Sequence, residues 1–195
     1  MQRRIQQLPD DRDIELLHAI AQGDRRALEE LYLSYHRRLT RFLSRLTSRY
    51  ETVEEVINDT FMVVWQHAKD FRGASQVSTW IIGITYRIAM KTLRGNDVLQ
   101  HAIQIDQIPE QATNPVDEAE MQEWMAWGLS QLPIEQRTTM ELAYHMGHSI
   151  EEIAAITSSP IGTVKARMFH ARKKLQQCLP SVGRANPLPV SSGPA

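Results

Sequence analysis

The chain has 195 residues, 42% of them hydrophobic, which is enough apolar material for one medium core or two small ones. Its 22 Lys and Arg nearly balance 23 Asp and Glu, an average that argues against a nucleic-acid binder but conceals an uneven distribution. The single cysteine, Cys178, excludes an internal disulfide framework or a cysteine-based zinc site within one chain, and it implies a reducing compartment.

The N-terminus, MQRRIQQLPDDRD, lacks the apolar core of a signal peptide, and no run approaches the ~20 apolar residues of a membrane span. A cytoplasmic protein without membrane insertion is expected. Helical apolar spacing then covers Asp13 to Gln22, Arg25 to Ser48, Thr52 to Ala68 and Ser78 to Arg94, with breaks at Gly23, Ser48 to Glu51 and Phe71-Arg72-Gly73. In the third helix Val53, Ile57, Phe61, Val64 and Ala68 form an apolar face, while Glu55, Asn58, Asp59 and Met62 form a second, mostly polar one. The loop FRGASQV, with Phe71, Arg72, Ser75 and Gln76, precedes a helix bearing Arg87, Lys91 and Arg94 at spacings of four and three. Such a loop beside a basic helix suits the phosphates and an unstacked base of a single strand. Trp80, Ile84 and Ile88 continue an apolar stripe, so Trp80 reads as a core anchor rather than a stacking platform.

Residues 1–95 thus form an N-terminal helical domain. Residues 96–115 lack a sustained period and read as a linker; from Gly95 to Gln136 there is no Lys or Arg, only acidic charges. Residues 116–179 form a C-terminal helical domain, with breaks at Leu132-Pro133, Gly147-His148 and Ser158-Ser159-Pro160. Residues 180–195, rich in Pro, Gly and Ser, read as a disordered tail. The expected class is all-α, two small helical domains joined by an acidic linker.

From Ile153 to Cys178 every charge is positive. Ser149 and Glu152 have capping-box spacing and open a short helix, Ile150 to Ile156. A second helix follows Pro160, with Ser159 as its expected N-cap. Two helices joined by a short turn have helix-turn-helix spacing, with Ala154 where they touch and Val164 plugging the joint. On the second helix Ile161, Val164, Met168, Ala171 and Leu175 share an apolar face, and Lys165, Ala166, Phe169, His170 and Lys173 share the opposite one. That outer face suits a major groove, with Lys165 and His170 reaching base edges or phosphates and Phe169 meeting a thymine methyl. Arg167, Arg172 and Lys174 flank it and suit phosphates. A solvated basic surface is the alternative reading of the same helix.

The segment LPIEQRTTMELAYHMGHSIEEIAAITSSPIGTVKARMFHARKKL resembles the fourth conserved region of the extracytoplasmic-function sigma factors of bacterial RNA polymerase. Leu132-Pro133, Arg137, Gly147, Ser149, Glu152-Ile153-Ala154 and Gly162-Thr163-Val164-Lys165 carry that likeness. The stretch EEVINDTFMVVWQHAKDFRGASQVSTWIIGIT resembles the second region through Asp59, Phe61, Trp65, Phe71-Arg72-Gly73 and Thr79-Trp80. The resemblance implies a subunit that binds core RNA polymerase and promoter DNA, is controlled by an anti-sigma factor, and is not an enzyme. It assigns Glu55, Asn58, Asp59 and Met62 to polymerase, and Phe71, Arg72, Ser75, Gln76, Arg87, Lys91 and Arg94 to the minus-ten element. Thr163, Lys165, Ala166, Arg167, Phe169, His170, Arg172, Lys173 and Lys174 fall to the minus-thirty-five element.

The residues depart from the pattern in places. Gly83, Arg87 and Lys91 stand where the family frequently has arginine, asparagine and aspartate, and Ser158 replaces the usual turn glycine. No convergent carboxylates, phosphate loop or metal-ligand cluster is present in the sequence, so neither cofactor nor metal is expected. The acidic linker is either a segment able to occupy a cationic nucleic-acid channel or a solvated tether. The other classes compatible with the residues alone are a stand-alone dimeric helix-turn-helix regulator and a helical adaptor that binds only proteins.

Overall fold

In a computed structural model the described residues are 7–100 and 127–178, with side chains for 11–94 and 127–177. The tail and most of the linker fall outside them. Among the described residues the named α-helices are, in order, α1 Gln7–Ala21, α2 Arg25–Leu43, α3 Tyr50–His67, α4 Val77–Gln100, α5 Ile134–Tyr144, α6 Ile150–Thr157 and α7 Ile161–Cys178. A 3-10 turn, Ala68–Asp70, follows α3, and residues 127–130 are helical ahead of α5. Among the described residues there is no strand, and no helix is long and apolar enough to cross a membrane.

Local chemistry accounts for the boundaries. Asp24 caps α2 by accepting from the amides of Arg26 and Ala27, satisfying two of the orphan donors of its first turn. The helix ends at Leu43 rather than Ser48, because the chain tightens into turns where Leu46 donates to the Leu43 carbonyl. The fourth helix continues to Gln100, past the expected end of the N-terminal domain at residue 95, since Gly95 only weakens a helix and no proline stops it.

The apolar face foreseen on α3 is the buried one: Val53, Ile57, Phe61, Val64 and Ala68 are all in the core. Between α3 and α4 the Thr60 and Thr85 hydroxyls lie 3.3 Å apart in that core, each also near a carbonyl of its own helix, Val56 and Ile81. The structure departs most from expectation at α4. Residues 81–86 are buried without interruption, so this helix is covered on every side rather than along one stripe.

The covering on its second side comes from the C-terminal half. One apolar cluster runs through α1 to α4 and continues into Leu142, Ile153, Ile156, Val164 and Met168. The two helical units are therefore docked on one another. Gly83 permits the approach: a Cβ placed there would lie 3.8 Å from both the Cα and the carbonyl oxygen of Ile156. Polar contacts surround this seam, with Arg137 donating to the Leu46 carbonyl at 3.4 Å and Arg45 lying 3.7 Å from Glu141. A smaller core of Leu129, Leu132, Met140, Ala171 and Leu175 holds α5 and α7 together.

Candidate nucleic-acid interface

The helix-turn-helix is built from its caps inward. The Ser149 side chain accepts from the Glu152 amide at 3.2 Å while Glu152 accepts from the Ser149 amide at 2.7 Å, closing the capping box at the start of α6. Ser158 ends this helix in the left-handed region, φ 50° and ψ 41°, with the Ser159 amide donating to the Ala154 carbonyl at 3.0 Å. Among the described residues it is the only non-glycine with positive φ, which places the strain at the position where the resemblance led one to expect glycine.

Helix α7 begins at Ile161, with the Pro160 carbonyl receiving its first amides. Ser159 is not a side-chain cap for it: its hydroxyl donates to the Thr157 carbonyl and accepts from Arg167 at 3.1 Å. Val164, Met168, Ala171 and Leu175 are buried as the spacing predicts, but Ile161 is 42% exposed because the first turn of α7 projects beyond α6. Val164 is fully buried and Ala154 packs against the same core, as their expected positions in the joint require.

The opposite face of α7 is free. Thr163, Lys165, Ala166, Phe169, His170, Arg172, Lys173 and Lys174 are all exposed. Phe169 keeps 61% of its surface in solvent and meets only the edge of His170, ring centroids 5.4 Å apart. The uncovered phenylalanine leaves an apolar surface available among the cations of this face. Arg172 donates to the Tyr144 hydroxyl at 3.2 Å, and Lys174 to the Gln131 carbonyl, so these two also tie α7 to its neighbours.

In the N-terminal half Glu55, Asn58, Asp59 and Met62 line the solvent side of α3, with Met62 57% exposed. Tyr32 approaches Asn58 at 3.4 Å and braces that face from α2, packing edge-on against Phe61. Sequence spacing did not single out Tyr32, because its role depends on how α2 meets α3. In the loop before α4, Arg72, Ser75 and Gln76 are exposed, whereas Phe71 is partly buried against Trp80, ring centroids 5.4 Å apart. The Phe71 ring thus lies on the floor of the loop rather than projecting from it.

Arg87, Lys91 and Arg94 are exposed on α4, but Arg94 is already engaged in an ion pair with Glu135 of α5. Burial is the largest single influence on Glu135 and opposes its charge, yet the Arg94 hydrogen bond, a backbone hydrogen bond and the Arg94 and Arg167 charges together hold the carboxyl below its usual value. Arg167 lies near Tyr86 of α4, where burial raises the phenol pKa and the Arg167 charge opposes that rise, and its guanidinium donates to the Ser159 hydroxyl of its own half. One predicted phosphate ligand, Arg94, is therefore held in a contact between halves. No pattern in the sequence marked this, because the pair joins residues far apart in the chain.

Comparison with known proteins agrees with these parts. The family described as Sigma-70 region 2 matches residues 31–98, and that described as Sigma-70, region 4 matches residues 128–175. The chain is 32% identical over 168 residues to the ECF RNA polymerase sigma factor SigM of Mycobacterium tuberculosis, covering 86% of this chain and 84% of that one. It is 27% identical to the RNA polymerase sigma-H factor of Pseudomonas aeruginosa, over 88% and 96% of the two chains. Among solved structures, CnrH in complex with the cytosolic domain of CnrY shares the fold, with a TM-score of 0.63 at 22% identity over 85% and 96% of the two chains. The sigma factor RpoE in complex with the anti-sigma factor NepR from Bartonella quintana gives 0.58 at 25% identity, over 77% and 94%. With a region-two fold carrying an open α3 face, a capped helix-turn-helix and this identity across both, the chain belongs to the extracytoplasmic-function sigma factors, the promoter-specificity subunits of bacterial RNA polymerase.

Proposed function

We propose that the exposed face of α3, with Glu55, Asn58, Asp59 and Met62, docks on core polymerase, and that the outer face of α7 reads the minus-thirty-five duplex. The loop with Arg72, Ser75 and Gln76, floored by Phe71, and the cations Arg87, Lys91 and Arg94 of α4 take the opened minus-ten strand. Thr163, Lys165, Ala166, Phe169 and His170 face base edges, and Arg167, Arg172, Lys173 and Lys174 face phosphates. The subunit contributes no catalysis of its own and works in the cytoplasm. Its structural neighbours are bound to an anti-sigma factor or, for CnrH, to CnrY, and we assign this chain a protein inhibitor of the same kind.

The observation that carries the reading is the uncovered Phe169 beside Lys165 on a helix whose opposite face is core. Because Arg94 is engaged between the halves, full use of the minus-ten surface requires that ion pair to give way. It involves an exposed cation, so its release is inexpensive.

Run-off transcription by the reconstituted holoenzyme, over a panel of singly substituted promoters, tests the assignment. Lys165→Ala and Phe169→Ala should relax preference at particular minus-thirty-five positions, where a good contact discriminates by roughly 1–3 kcal/mol. Lys173→Ala should instead weaken all promoters alike and flatten the salt dependence. A uniform loss from Lys165→Ala and Phe169→Ala would show that the helix holds DNA without reading it.

A further inference from the structure

A further basic surface is built from none of the residues assigned to DNA. Four arginines of α2 and the turn after it, Arg37, Arg38, Arg41 and Arg45, line an open cleft of about 430 Å³ whose far wall is Glu141, His145 and Met146 at the end of α5. Arg37 and Arg41 stand one helical turn apart on the same side of α2, with Arg38 beside them. Among the described residues Arg37, Arg38 and Arg41 make no ion pair and no hydrogen bond. Arg45 alone has an acidic neighbour, the buried Glu141 at 3.7 Å, whose carboxylate is also met by His145 at 2.8 Å.

The one carboxylate in the cleft is thus already paired with Arg45, and three arginines remain facing a small volume. The His145 and His148 imidazoles are both held below their usual pKa by burial first; at His145 the Arg45 charge adds to this, while at His148 Glu152 opposes it and Arg38 adds to it.

We propose that this cleft binds a compact polyphosphate anion, either inorganic or the phosphate chain of a nucleotide. Its volume falls in the range of small-ligand pockets, roughly 300–1,000 Å³. Arginine forks match phosphate oxygens two at a time, and every cation lining the cleft apart from His145 is arginine rather than lysine. An acidic peptide fits less well. Extended chain advances about 3.3–3.6 Å per residue, so its carboxylates spread beyond so short a site, whereas a triphosphate concentrates its charge on a few atoms.

The test uses the full-length protein and calorimetry with inorganic tripolyphosphate, ATP, a polyglutamate peptide and a short single-stranded oligonucleotide. Saturable one-to-one binding of tripolyphosphate is expected, weakened at least about tenfold in Arg37→Gln/Arg41→Gln, with circular dichroism unchanged because both side chains are exposed. Tighter binding of ATP than of tripolyphosphate would identify a nucleotide as the source of the phosphates, and the reverse order an inorganic chain. By NMR, tripolyphosphate should move the His145 titration to higher pH, since a nearby anion favours the imidazolium. Arg41→Lys, which keeps the charge but loses the fork, should lie between wild type and the double variant. Absence of saturable binding overturns the proposal, as does binding that ignores the arginine substitutions or leaves His145 unmoved. Tighter binding of the peptide or the oligonucleotide at these same arginines overturns it too, by making the cleft a macromolecular interface.

Discussion

Gly83→Ala should leave the docking of the two halves intact and Gly83→Leu should weaken it. A methyl at this position would sit 3.8 Å from the Ile156 backbone, which is ordinary van der Waals contact, so alanine fits without displacing α6. It also replaces the poorest non-proline helix former inside α4, a gain of about 1 kcal/mol. Leucine brings the same helical gain, but its branches must occupy the space now filled by α6. Overpacking of this kind costs about 1–3 kcal/mol, and here the cost is escaped by letting the halves part rather than by unfolding either. The docked-to-undocked ratio should therefore fall about 5–150-fold in Gly83→Leu. Small-angle scattering should report an unchanged radius of gyration for Gly83→Ala and an increased one for Gly83→Leu. Free Gly83→Leu should also bind a minus-thirty-five duplex more readily, because the C-terminal half is no longer packed on α4. Identical scattering from wild type and both variants would refute the claim that Gly83 sets the approach of α4 to α6.

Asp59→Arg reverses a charge on the exposed face of α3 without entering the core, so it should abolish co-elution with core polymerase while leaving the melting curve nearly unchanged; retained co-elution would reject the docking face. Ser158→Gly should relieve left-handed strain of about 1–2 kcal/mol, less a smaller entropic loss in the unfolded chain, and raise the thermal midpoint by a few degrees; a lower midpoint would contradict the strain. His148 is held neutral below its ordinary pKa of 6.5 by burial, with Glu152 at 3.6 Å opposing and Arg38 adding to the shift. The unfolded chain binds this proton more readily, so the stability His148 confers is complete above pH 6.5 and is lost as pH falls below it. Glu141, its pKa raised by burial against the pull of Arg45 and Arg137, acts in the opposite sense: stability falls as pH rises from its ordinary 4.5 through the raised value. The melting temperature of His148→Gln should depend less on pH than that of wild type on the acid side of neutrality, and equal slopes would remove His148 from the account.

The local parts of the fold were legible in the sequence. The α3 stripe, the capping box at Ser149 and Glu152, and the buried side of α7 all follow from spacing and from donors that need partners at helix ends. What spacing does not carry is contact between distant segments. Residues 81–86 of α4 read as a helix with one stripe, yet they are covered all round because α6 supplies the second cover. Arg94 looked like a free phosphate ligand, and its partner Glu135 is visible only in three dimensions. Phe71 read as part of a base-holding loop, and only the structure shows its ring drawn against Trp80. The arginines of α2 passed unnoticed because the far wall of their cleft lies about a hundred residues away.

The halves that meet at Gly83 and Ile156 belong to one chain. Two bodies joined covalently can meet at an effective concentration of about a millimolar, at which an interface with a dissociation constant just below that already keeps most intact chains closed. Two separate fragments at about a micromolar would stay together only if the same interface were roughly a thousand times tighter. Cleavage of one peptide bond between the halves therefore turns closure from a property of the chain into a matter of dose. Dilution, to which the intact molecule is indifferent, would then release the helix-turn-helix with every one of its own residues in place.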